Sequence, residues 1–174
     1  MSEPTSLRIP VGVVVERHRA HTPWLEAIYR PVSVLYGVPT AAPWTTIAAN
    51  EAVTTLYAGE ALVELFRTDT AQYQANLASG APSLWVVLRP VASEIPLALL
   101  KVTADPSEGE AFTGAGNDLV EAVPMPPSLI ETVTRFIAQH PPSGSFYKRE
   151  RDRSVPAIEA PARCRAKERT RGHD

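Results

Sequence analysis

His18 and His21, three residues apart with Glu16 just upstream, are the first group along the chain that could do chemistry, because imidazoles and carboxylates are ordinary zinc ligands. The pattern stops short of a site. No further ligand follows closely, and Arg17 and Arg19 put positive charge where a cation would bind, so the pair reads as surface histidines on a link between strands. Nucleophilic catalysis lacks its parts as well. His140 stands beside two prolines, His173 lies in the C-terminal tail, no Gly-x-Ser-x-Gly elbow occurs, and the serines mostly adjoin Pro, Gly or Glu, where they cap and turn. Gly114-Ala115-Gly116-Asn117-Asp118 is glycine-rich, but it lacks the third glycine of a dinucleotide fingerprint and the lysine of a phosphate loop. Glu108, Glu110, Asp118 and Glu121 around it would repel phosphate, which leaves a turn. These acids form close pairs, as glycoside hydrolysis would require across a cleft, and solvation of an acidic surface accounts for them. The single cysteine, Cys164, excludes an intramolecular disulfide and a four-cysteine metal or iron–sulfur site. A reducing cytoplasm and no cofactor are the expectation.

Two other groups have the chemistry of partner binding. Trp24 and Trp44 flank proline-containing loops, and with Tyr29 they could form core, rim or the wall of a partner groove. Lys148, Arg149, Arg151 and Arg153 form a cationic run after Pro142. The chain of 174 residues has 17 basic and 19 acidic side chains, a net charge of −2, too balanced for a protein that lies along nucleic acid or an anionic membrane as a whole. That balance is a cancellation. Residues 1–140 hold 8 basic against 14 acidic side chains, a net −6, whereas residues 141–174 hold 9 against 5, a net +4. Nucleic-acid proteins usually back a basic tail with a basic folded surface, so the acidic body favours a protein partner over nucleic acid.

The elements that must position these residues can be read from pattern. Ile9, Val11, Val13 and Val15 alternate with Pro10, Gly12, Val14 and Glu16 and predict a strand over about residues 9–17. A second strand is expected from Trp24 to Tyr36, with Trp24, Ile28, Val32, Val34 and Tyr36 on one face and Pro31 marking an edge strand or a bulge. Residues 53–57 and 61–66 read as a hairpin about Gly59, and residues 84–89 and 97–104 as another with prolines at both mouths. A helix capped by Thr68 should run through Ala78 and stop at Gly80. Asp105 and Pro106 should open a short helix, residues 119–123 a last strand, and Pro126 a helix to Gln139, where Leu129, Val133, Phe136, Ile137 and His140 follow helical spacing. The expected fold is α+β: a mainly antiparallel sheet of six to seven strands in hairpins, with two or three helices, the last packed on the sheet. Residues 1–7 are expected to be a flexible N-terminus, 8–142 a single domain, and 143–174 a basic, largely disordered tail. The N-terminus has no signal-peptide pattern, and no run is apolar enough for a membrane span.

Several segments in series resemble a small uncharacterised bacterial family, catalogued as domain of unknown function 3305. They are residues 9–17 (Ile-Pro-Val-Gly-Val-Val-Val-Glu-Arg), Pro23-Trp24, Tyr29-Arg30-Pro31-Val32-Ser33-Val34-Leu35, Glu64-Leu65-Phe66-Arg67 and Tyr73-Gln74-Ala75-Asn76-Leu77. The series continues with residues 84–89, 102–106 and 120–126 and ends at Phe146-Tyr147-Lys148-Arg149, so that it covers about residues 8–153. The resemblance transfers no catalytic residue. It implies a context, since members are often encoded beside components of molybdenum-dependent formate dehydrogenases and iron–sulfur accessory proteins. The expectation is a non-enzymatic accessory or assembly protein that binds a protein partner through Trp24, Tyr29, Trp44 and the cationic run. The rival is a small-molecule binding protein or enzyme with a pocket between the sheet and the C-terminal helix.

Overall fold

A computed structural model describes residues 5–142 apart from Pro23, Leu25 and Ala115. Seven antiparallel strands form two sheets, joined by three α-helices. β1 (Ser6–Arg19) lies between β2 (Ala27–Tyr36) and β4 (Val53–Phe66), and β3 (Thr45–Ala49) adds to the outer side of β4. In the second sheet β5 (Ser83–Pro90) lies between β6 (Leu97–Thr103) and β7 (Leu119–Pro124). β2 runs near β7 and β4 near β6, and Arg30 of β2 reaches Glu121 of β7 at 3.1 Å. The sheets therefore approach each other along both flanks and enclose one core.

The alternation in β1 does what its period requires. Ile9, Val11, Val13 and Val15 enter the core, where they meet Leu84, Val86 and Leu88 from the central strand of the other sheet. Three helices complete the packing. After a 3-10 turn at Arg67–Asp69, α1 (Thr70–Ala78) brings Tyr73 into the core, and its last turn is followed by Gly80 at φ 84. α2 (Pro106–Gly114) starts as its residues dictate: the Asp105 carboxylate accepts hydrogen bonds from the backbone N–H of Ser107 (2.8 Å) and Glu108 (3.4 Å). It lies against β5 so closely that a Cβ on Gly109 would stand 2.2 Å from Cγ of Trp85, so glycine is the residue this approach allows. α3 (Pro127–Gln139) opens on Pro126 and packs Leu129, Val133 and Phe136 into the core shared by both sheets. Among the described residues no helix is long and apolar enough to cross a membrane.

Four local expectations are corrected. Residues 53–66 are one strand, not a hairpin: Gly59, at φ 128, serves a bulge in which Val13 faces Gly59 and Val14 faces Tyr57, leaving Ala58 extra. β1 is long enough to supply partners along the whole of β4, so the positive φ bends the strand instead of reversing it. β1 also begins at Ser6 and runs on to Arg19, which puts His18 inside a strand. In β2 the pairing passes from Val14–Ser33 to Val15–Pro31, so Val32 is extra and the inward face switches parity there. Pro31 and Val34 are buried, while Ile28 and Tyr36 are exposed. Thr68 does not cap α1 but lies within the 3-10 turn. Strand β3 was not expected from the pattern, because all five of its residues are exposed and no apolar face alternates.

Candidate functional site

The two bulges bring one row of side chains together. Beyond Val32 and Ala58, the register places Tyr29 and Thr54 on either side of Arg17, on the inward face of the first sheet and past the end of the core. This overhang is the floor of a groove of about 690 Å³. Trp44 forms part of its wall, with φ 65, a left-handed conformation that is strained for a bulky side chain. Its backbone N–H donates to the Tyr57 carbonyl at 2.5 Å, which holds the strained residue in place. The Trp44 indole stands edge-on to Tyr29, with ring centroids 6.5 Å apart and planes at 84°. Opposite is the β5–β6 connection, where Glu94, Ile95 and Pro96 line the groove. That loop is closed by the Val91 N–H donating to the Pro96 carbonyl (3.0 Å) and by the Ser93 hydroxyl donating to the Ile95 carbonyl.

Trp24 stands at the rim and is 92% exposed, an indole almost wholly in water. A second hollow of about 480 Å³ adjoins the groove, shares Arg17, Glu26 and Thr54 with it, and adds Arg19 and Glu51. Trp24, Tyr29 and Trp44 thus line one groove. Lys148, Arg149, Arg151 and Arg153 lie outside the described residues. Arg17 and Glu26 line the same groove and Arg19 the hollow that adjoins it, and sequence reasoning did not select them. The one available signal was the continuation of the β1 alternation past Val15, which puts Arg17 on the inward face.

The other candidates are held elsewhere. His18 and Glu16 share the outward face of β1, with Nε2 and Oε2 2.8 Å apart, and His21 is exposed beyond the strand. No group of three or more His, Cys, Asp or Glu residues that could hold a metal occurs among the described residues. Three of the four paired acids hold cations of neighbouring elements: Glu108 with Lys101, Asp118 with Arg89 and Glu121 with Arg30. Arg89 binds the nearly buried Asp118 carboxylate with both Nε (2.9 Å) and Nη2 (2.7 Å) and so holds its pKa below the usual carboxylate value. Gly116, at φ 115, turns the chain from α2 towards β7. The rival pocket between sheet and last helix is filled: Leu129 and Val133 of α3 have no exposure and Phe136 has 3%.

A family model described as "Protein of unknown function (DUF3305)" matches residues 10–150. No curated protein matches the chain. No solved structure matches it either.

Proposed function

The chain belongs to this family of proteins of unknown function, and we propose from the groove that it is a non-enzymatic accessory protein that docks a protein partner. The observation that carries the reading is Trp24, an indole 92% exposed at the rim of a groove walled by a second, strained tryptophan. Large aromatic side chains bury roughly 150–250 Å² each, which at about 25 cal/mol per Å² is on the order of 4–6 kcal/mol before the costs of association. Side chains of this kind dominate the energetics of protein interfaces. Tyr29 and Trp44 are partly buried against the core, so their ordering is already met by folding, and Trp24 gains most on contact.

The partner we propose is a subunit or maturation factor of a molybdenum-dependent formate dehydrogenase in the cytoplasm, the context that the family resemblance implies. The cationic run Lys148, Arg149, Arg151 and Arg153 would steer an acidic patch of that partner, an attraction that weakens with salt. The test is co-purification on the tagged full chain from cells making the oxidoreductase. A named oxidoreductase subunit or maturation factor is expected with the wild-type chain and is expected to be lost with W24A, whose exposed position leaves the melting temperature unchanged. Recovery of no such component, with or without crosslinking, overturns the proposed partner. Equal recovery with W24A overturns the groove as its site.

A further inference from the structure

We infer that the groove recognises a segment of its protein partner bearing a single carboxylate, seated on Arg17 and Arg19. The inference rests on the groove being the docking site, and it names what the groove selects. Arg17 and Arg19 are two residues apart on one face of β1, about 7 Å along the strand, and both are exposed in the same hollow. The other cations on the strands are occupied: Arg8 holds Glu64, Arg30 holds Glu121, Arg89 holds Asp118 and Lys101 holds Glu108. Arg17 and Arg19 hold no carboxylate among the described residues, although Glu26 and Glu51 line the same hollow. Arg17 lines both the aromatic groove and the hollow that it shares with Arg19, so one carboxylate seated between the two open guanidiniums can accept several charge-assisted hydrogen bonds while its apolar neighbours extend past Arg17 onto Tyr29 and Trp44.

The same surroundings limit the charge that can enter. Glu26, Glu51 and Glu94 line the adjoining hollows, so the lining has three acids against two arginines. One carboxylate gains direct charge-assisted hydrogen bonds from the two arginines that offset the net −1 of this lining, whereas each further acid finds no open guanidinium and meets only the glutamates. A run of phosphates, which nucleic acid would bring, meets net repulsion here. Recognition of this kind is specific by sign: like charges set opposite each other exclude partners that lack the acid or carry several.

The experiment selects random dodecapeptides displayed on phage against the full chain, in parallel on the wild type and on R17E/R19E. Peptides enriched on the wild type are expected to share one Asp or Glu next to aromatic, aliphatic or proline residues. They should bind R17E/R19E roughly tenfold or more weakly. The same peptides with Lys in place of the acid should bind R17E/R19E better than the wild type, and that reversal also establishes that the variant is folded. Enriched peptides without a common acid, or with affinity unmoved by R17E/R19E, overturn the carboxylate inference. If those peptides are still lost in W24A, the groove stands as the docking site. Enriched peptides indifferent to W24A, or no enrichment at all, count against both.

Discussion

Asn76 joins three elements with one side chain. Its Nδ2 donates to the carbonyls of Ser83 and Ala104, both at 2.8 Å, and its Oδ1 accepts from the Ser83 N–H at 3.0 Å. It is 4% exposed, so N76A would leave backbone groups at the start of β5 and the end of β6 without partners. A loss of about 2–4 kcal/mol is expected, read from the urea midpoint at unchanged slope. Tyr73, one turn earlier, is 2% exposed and its hydroxyl accepts from the Phe66 N–H at 3.1 Å. Burial, reinforced by Asp69, Asp105 and Glu108, pushes its pKa up to about 12 from 10.0. The neutral phenol is the form the fold accommodates. Its contribution is therefore complete below pH 10 and is lost as pH rises through about 12, on the order of 2–3 kcal/mol across that window. Stability measured from pH 9 to 12 should fall less steeply in Y73F. Sequence alone marks Tyr73 and Asn76 only as positions on one helix, because the groups they meet lie on other elements.

At the scale of elements, the bidentate Arg89–Asp118 contact ties β5 to the approach of β7, one step beyond the Leu88–Leu119 pair. Because the carboxyl pKa is lowered in the fold, the contact stabilises above the unfolded carboxyl range, near pH 4, and is lost as pH falls through the folded value. The stability gap between wild type and D118N should thus be constant from pH 7 to about 4 and close below it, as followed by urea unfolding at each pH. The start of α2 was legible because Asp105 and Pro106 act on backbone groups two and three residues away. The bulges were not. Gly59 announces a positive φ, but whether the chain reverses or merely bends there is set by β1, some 46 residues away in the pairing of Val13 with Gly59.

For the whole molecule, the core joins both sheets and α3, which predicts one cooperative unfolding unit across the described residues. Leu129 has no exposure and lies in that shared core. L129A is expected to cost about 2–5 kcal/mol. Fluorescence from Trp44 alone, in W24F/W85F, and from Trp85 alone, in W24F/W44F, should report coincident urea transitions with and without L129A. Separate transitions would mean that the sheets fold independently.

The sequence by itself determined what depends on neighbours in the chain: the buried face of β1, the β5–β6 hairpin, the cap of α2, the apolar stripe of α3 and the α+β class. It also singled out Trp24, Tyr29 and Trp44 by type, since large aromatics next to proline loops have few places to go. Only the tertiary structure decided that these three share a groove with Arg17 and that Arg19 lines the hollow adjoining it. The physical reason is the period of a strand: one extra residue moves every following side chain to the opposite face. Val32 and Ala58 are such residues, and their effect is set by pairing with β1, which no local pattern records.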